Sequence, residues 1–165
     1  MIGLFSDRNK LHLYFGAILA GIITFIMYIP ALKNGFVSLD DEVYIINNPY
    51  ITRLNSHFFE WALSEFYAKN WHPLTWLSHA IDYAIYGLNP SGHHFTSVVF
   101  HSIASMGVVS LSFRIITYSQ LVTDIGYKFD RMQTLLAAVV SGIIFGIHPL
   151  HVESVAWVSE RKDVL

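Results

Sequence analysis

The chain has no cysteine, so disulfides and thiolate metal sites are excluded, and nothing in it reports a redox compartment. Charge is scarce as well. Asp, Glu, Lys and Arg make up 13% of the 165 residues, about half the roughly 25% of an average soluble domain. The formal net charge of −2 carries no basic footprint of the kind nucleic acid requires. Internal repeats and low-complexity segments are absent. What fills the sequence is apolar: 53% of residues are hydrophobic and the mean hydropathy is +0.44. That balance is that of an integral membrane protein and predicts an all-α membrane fold.

The apolar residues collect into runs. Leu11 to Leu32 holds no Asp, Glu, Lys or Arg and Lys33 closes it, a stretch long enough for a span of roughly 20 residues. It is too long for a signal-peptide core, and no A-x-A-like cleavage site follows. A second span is predicted over about 95–116, uncharged from Phe95 to Phe113, and a third over about 132–147. Ser141, Gly142 and Gly146 in the third are small enough to let it pack closely on neighbours. Val164-Leu165 reads as the first turn of another helix, so the expectation is an N-terminal piece of a longer polytopic protein.

Basic residues set the sidedness. Arg8 and Lys10 precede the first run, and Arg114, Lys128 and Arg131 lie between the second and third. The segment from 33 to 93 holds only Lys33, Arg53 and Lys69 against Asp40, Asp41, Glu42, Glu60, Glu65 and Asp82. The expected topology therefore has a cytoplasmic N-terminus, with the acidic loop and residues 148–163 on the periplasmic or lumenal face. That loop is rich in aromatics and is predicted to fold. A helix over about 57–68, capped by Ser56, would hold Phe58, Trp61, Ala62 and Phe66 on one face. A second over about 73–86 would start at Pro73, carry the stripe Leu74, Leu77, Ile81 and Ile85, and stop at Gly87. Asn89-Pro90-Ser91-Gly92 reads as a turn. Both helices are expected to lie along the membrane interface.

Three polar clusters fall on the expected outer face. The first, Asp40-Asp41-Glu42, follows an apolar lead-in and has few basic residues nearby to neutralise it. Adjacent carboxylates can divide their work, one holding a divalent cation such as Mg or Mn and the other serving as general base. The second is Asn70-Trp71-His72-Pro73 with His93-His94. The third is His148-Pro149-Leu150-His151-Val152-Glu153, followed by Arg161-Lys162-Asp163. Its histidines and carboxylate suit a metal ion; equally, His148 and His151 cap a helix end, or protonated histidine and Arg161 neutralise a phosphate. His101, inside the second span, is either functional or a satisfied packing residue. A non-catalytic membrane scaffold or gene remnant, and a metal-binding membrane protein, stand as alternatives to an enzyme.

Taken in order, Phe36-Val37-Ser38-Leu39-Asp40-Asp41-Glu42-Val43-Tyr44, Asn47-Asn48-Pro49, Trp71-His72-Pro73-Leu74-Thr75-Trp76-Leu77-Ser78-His79, Asp82-Tyr83, Tyr86-Gly87-Leu88-Asn89-Pro90, His93-His94, His148-Pro149-Leu150-His151-Val152-Glu153-Ser154-Val155-Ala156-Trp157 and Glu160-Arg161-Lys162-Asp163-Val164-Leu165 form a set. Over about residues 13–165 it resembles the N-terminal part of the tetratricopeptide-repeat-bearing GT-C membrane glycosyltransferases, relatives of the transmembrane-and-TPR protein O-mannosyltransferases. The resemblance implies a GT-C-like helical bundle whose first outer loop carries interfacial helices. It also implies an inverting transfer of sugar from a polyprenyl-phosphate donor to a hydroxyl of a protein or glycan acceptor at the outer face. It makes Asp40 and Asp41 the catalytic pair, with Glu153 or Asp163 as a further acid and Arg161 facing the lipid phosphate; His72, His93, His148 and His151 join as substrate-side candidates. No TPR occurs within the chain, and the segment alone is expected to be inactive. The wording of Glu160-Arg161-Lys162-Asp163 suggests a bacterial inner membrane, the ER membrane being the eukaryotic counterpart.

Overall fold

The structure, a computed structural model, describes residues 7–123 and 128–165. Parts of the two segments expected to be cytoplasmic, residues 1–6 and 124–127, lie outside the described residues. In chain order the α-helices are α1 (Asp7–Tyr28), α2 (Ser56–Ser64), α3 (Pro73–Tyr86), α4 (Pro90–Val122), α5 (Arg131–Ile147) and α6 (Val152–Ala156). Between them lie short 3-10 turns and a single turn of π-helix at Glu42–Ile46. The described residues contain no strand, only an isolated antiparallel bridge between Tyr67 and Asn70. The chain forms two units, residues 1–27 with 101–149 and residues 28–100 with 150–165.

The first unit is built from apolar helices that meet on small residues. Ala17, Ala20, Val109, Phe113 and Ala138 are buried at its centre, flanked by Leu13, Met106, Leu135, Val139 and Ile143. Gly142 and Gly146 of α5 are buried. A methyl group on Gly142 would run into Val109, and one on Gly146 into Thr24. Close approach lets polar groups pair across the helices. Thr24 Oγ1 donates to Ser105 Oγ at 3.1 Å, Ser105 Oγ donates to the Gly142 carbonyl at 2.9 Å, and His101 Nε2 lies 3.0 Å from the Gly146 carbonyl. His101, buried and hydrogen-bonded, is a packing residue here. α5 begins with a capping box, Asp130 Oδ1 accepting from the Gln133 amide and Gln133 Oε1 from the Asp130 amide, both at 2.9 Å.

The outward side chains of this unit are large and apolar. Leu11, Phe15, Ile22, Ile26, Ile115, Leu121, Leu136 and Ile144 are all more than half exposed, which suits hydrocarbon as solvent. The helix from Lys10 to Lys33, with mean hydropathy 2.1, and α4, with 1.5, are each long and apolar enough to cross a membrane. The third expected span falls on α5. α5 has 17 residues, about 25 Å at 1.5 Å per residue, short of a hydrocarbon core of about 30 Å. It qualifies only when joined to Pro149–Ala156 across a 46° bend, because Pro149 interrupts the helix.

The second unit is a small aromatic fold. Tyr44, Ile45, Ile51, Phe58, Trp61, Ala62, Trp76, Ala80 and Val158 form its core. The Tyr50 and Trp61 rings stack at 4.5 Å and 3°, and Tyr44 tilts over Trp76 at 4.7 Å. α2 is capped by Asn55, whose Oδ1 accepts from the Phe58 amide at 3.0 Å, one residue earlier than expected. It ends at Ser64 rather than near 68, and Phe66 is 75% exposed. α3 starts at the proline and stops before Gly87, whose φ of +58° suits a residue without a side chain. The expected stripe of α3 faces outward, while a largely polar face turns inward. Leu74, Ile81 and Ile85 are exposed, while Thr75, Trp76, Ser78, His79, Ala80 and Asp82 are buried. The turn expected at Asn89–Gly92 is instead the start of α4, with Asn89 Oδ1 accepting from the Ser91 amide at 3.1 Å.

Candidate functional site

The acidic triplet separates on folding. Asp40 and Glu42 are exposed, while Asp41 is fully buried. Each Asp41 oxygen accepts a backbone N–H: Oδ2 from Val37 at 2.9 Å and Oδ1 from Ser159 at 2.8 Å. The second bond joins segments far apart in sequence, and charge-assisted bonds of this kind are among the stronger ones. Asp41 therefore ties the first loop to the turn Val158–Asp163 and leaves Asp40 as the open carboxylate beside the junction.

Arg161 completes that junction from inside, and its expected role facing a lipid phosphate is corrected. The side chain is fully buried. Its Nη1 lies 2.6 Å from Asp82 Oδ2 and donates to Ser78 Oγ at 3.3 Å. Nε donates to Ser97 Oγ at 3.1 Å, and Nη2 to the His93 carbonyl at 2.6 Å. A guanidinium so engaged holds α3, α4 and the second segment together. Burial lowers its proton affinity, and the charges and hydrogen bond of Asp82, with the charge of Asp41, offset this.

The histidines divide in the same way. His93, offered as substrate-binding, is buried with Nε2 2.9 Å from the Gly87 carbonyl, Nδ1 3.7 Å from Asp82, and its ring edge-on to Phe36. It belongs to the packing around Arg161, which corrects that expectation. His94 lies 3.4 Å from the Gly35 carbonyl. His79 is fully buried and neither ring nitrogen has a hydrogen-bond partner among the described residues. Burial, then the charges of Arg161 and His93, hold its pKa well below 6.5. His72 is half-buried at the start of α3. Glu153 and Asp163 are exposed, and Asp163 Oδ2 accepts from Ser154 Oγ at 3.4 Å. His151 is half-buried before α6, and His148, in the other unit, is exposed at the end of α5. Among the described residues no three His, Asp or Glu side chains come together to hold a metal ion.

Sequence reasoning gave no role to Asp82, Ser78 and Ser97, nor to Tyr44, nor to Asn70 and Lys162 within the polar clusters that contain them. A signal existed for the first two. Ser78, His79 and Asp82 recur at helical spacing along the flank of the apolar stripe of α3, where they form a polar face. Asn70 is delivered to Tyr44 by a tight turn in which Ala68 and Lys69 have φ of +50° and +65°, a conformation that is strained for side chains other than glycine. Asn70 Nδ2 donates to the Tyr44 hydroxyl at 2.6 Å. Burial raises the Tyr44 pKa above 10.0; the Asn70 bond and the Lys162 charge lower it, and the charges of Asp40 and Glu160 raise it. Asp40, Glu160 and Lys162 thus converge electrostatically on one phenol.

Comparison with known proteins decides the relationship. The chain is 27% identical over 149 residues to the protein O-mannosyl-transferase Tmtc1 of Drosophila melanogaster, covering 86% of this chain and 16% of that protein. It is 28% identical over 156 residues to human TMTC3, covering 90% of this chain and 15% of the relative. With human TMTC2 the identity is 33% over 96 residues, 58% of this chain and 10% of the relative. The chain is similar over most of its length to proteins named as TMTC protein O-mannosyl-transferases. It spans about a sixth of the length of the TMTC relatives it matches. No protein-family model matches it, and no solved structure does.

Proposed function

We propose that this chain forms the first outer-face loops of a GT-C-like, polytopic glycosyltransferase. The enzyme moves a sugar, mannose in the named relatives, from a polyprenyl-phosphate donor to a hydroxyl of a protein or glycan acceptor. The observation that carries this reading is the Asp41–Ser159 junction. It leaves Asp40 as an exposed carboxylate in a membrane protein whose relatives are named protein O-mannosyl-transferases. Asp40 accepts the proton of the acceptor hydroxyl. The hydroxyl oxygen forms a bond to the sugar's anomeric carbon as the bond from that carbon to the phosphate oxygen breaks. The electron pair leaves with the polyprenyl phosphate, and configuration inverts. Glu153 and Asp163, exposed in the segment 150–165, are candidates to orient the acceptor, together with His72 and His151. The sparse basic residues of the acidic loop support an outer-face site with a cytoplasmic N-terminus, in a bacterial plasma membrane or, in a eukaryote, that of the ER.

The test is sugar transfer by the intact protein in membranes. Asp40→Asn is expected to lower the transfer rate by about a hundredfold or more, as loss of a general base does, with membrane insertion unchanged. Transfer at the wild-type rate would overturn the assignment.

A further inference from the structure

Resting on the sugar-transfer reading for the identity of its partner, we propose that an aromatic cleft beside α2 receives a basic side chain, lysine or arginine, of the acceptor protein.

The cleft is built from a helix face and the turn that follows it. His57, Glu60, Trp61 and Ser64 recur at helical spacing and share one face of α2. The chain then doubles back at Tyr67–Asn70. There the Tyr67 amide donates to the Asn70 carbonyl at 3.0 Å and the Asn70 amide to the Tyr67 carbonyl at 2.9 Å. The positive φ of Ala68 and Lys69 makes that reversal tight. It sets the Tyr67 ring T-shaped against Trp61 at 5.4 Å and against Tyr50 at 5.9 Å, while Tyr50 lies flat on Trp61. These side chains, with Glu65, line a cleft of about 310 Å³.

The polar groups of the cleft are unbalanced in favour of a cation. The Ser64 hydroxyl is spent on the Glu60 carbonyl at 2.6 Å, and that of Tyr67 on the Val43 carbonyl at 3.2 Å. The carboxylates of Glu60 and Glu65 are exposed, and neither meets a donor or a cation among the described residues. No lysine or arginine lines the cleft. Open carboxylates beside aromatic walls match a side chain with an apolar stem and a cationic head. The rings pack its methylenes, ring faces attract the cation, and a carboxylate accepts a charge-assisted hydrogen bond. A sugar asks for donors as well as acceptors, and the hydroxyls of Ser64 and Tyr67 are already taken. The Tyr67 bond also ties the cleft to the turn Glu42–Ile46. That turn directly follows Asp40 and Asp41 in sequence, so a protein held here by a basic residue lies along the loop that carries the proposed base.

The experiment is binding of a labelled peptide of glycine, serine and threonine with one central lysine to the intact protein in phosphatidylcholine nanodiscs. The same peptide with acetyl-lysine keeps the stem and loses the charge. It is expected to bind about tenfold more weakly or worse, the loss of one charged hydrogen bond. Glu60→Gln combined with Glu65→Gln is expected to abolish that difference. Glu42→Gln, which removes an exposed acid outside the lining of the cleft, should leave it in place. Equal binding of the two peptides to the wild type would overturn the proposal. So would an equal loss in Glu42→Gln, the mark of unspecific attraction to an acidic loop. Displacement of the lysine peptide by free choline would assign the cleft to a lipid headgroup, and displacement by methyl mannoside to a sugar; either result overturns the assignment to a protein. Because the peptide undergoes no transfer here, failure is distinct from failure of the sugar-transfer reading, which the Asp40→Asn rates decide.

Discussion

Arg161 and Lys162 stand side by side with the same formal charge and have different fates. Arg161 enters a site where Asp82, two hydroxyls and a carbonyl converge on it, and a planar fork with five donors matches that set where an ammonium would not. A buried ion pair is not strongly stabilising against an apolar substitute, but removing one partner strands a charge at roughly 3–5 kcal/mol. Arg161→Gln is therefore expected to lower the thermal midpoint of the intact protein sharply in a detergent melt. Asp82→Asn should do the same, and the two losses together should fall short of their sum. An unchanged midpoint accompanied by lost phosphate-lipid binding would return Arg161 to the ligand. The same division separates Asp40 from Asp41: neighbours in sequence, one carboxylate is consumed by two backbone amides and the other is open.

Elements here are positioned by what their faces meet, and local signals set their ends better than their faces. Pro73 and Gly87 delimit α3 because ring constraint and positive φ act within a residue or two. Which side of α3 turns inward depends on Arg161, a residue far along the chain, and its polar demand outranks the apolar stripe Leu74–Ile85. The stripe is left outward, as an interfacial helix requires. In α5 the decisive residues are small. Gly146 packs against Thr24 and Ser105 so tightly that a side chain there meets both. Gly146→Val is expected to destabilise the bundle by about 1–3 kcal/mol, the usual penalty for overpacking, read as a lower unfolding midpoint. The exposed Ile144→Val should leave the midpoint nearly unchanged, and equal effects of the two would contradict this packing.

Across the whole molecule, stability should depend on pH through His79, which faces Arg161 and His93 in the second unit. Its folded pKa lies below the ordinary 6.5. Above that pH both folded and unfolded states hold the ring neutral. As pH falls below 6.5, the unfolded chain takes up a proton that the folded one refuses, so stability declines. Unfolding midpoints between pH 7.5 and 5.5 should fall less steeply in His79→Gln than in the wild type. Parallel slopes would show that this ring does not titrate on unfolding.

The membrane character, the all-helical class, the first span and the ends of α3 could be read from the sequence, because each depends on composition or on neighbours within a few residues. The bend at Pro149 was not legible there, since a count of uncharged residues does not register it. Only the tertiary structure decided which acid of the pair is free and which of two adjacent cations is buried. Those outcomes hang on hydrogen bonds between segments remote in sequence, Asp41 with Ser159 and Arg161 with Asp82. Those contacts bury Asp41 and Arg161 and leave Asp40 exposed and Lys162 half-buried beside them in sequence, because a charge taken out of water must be matched by partners that no local signal supplies.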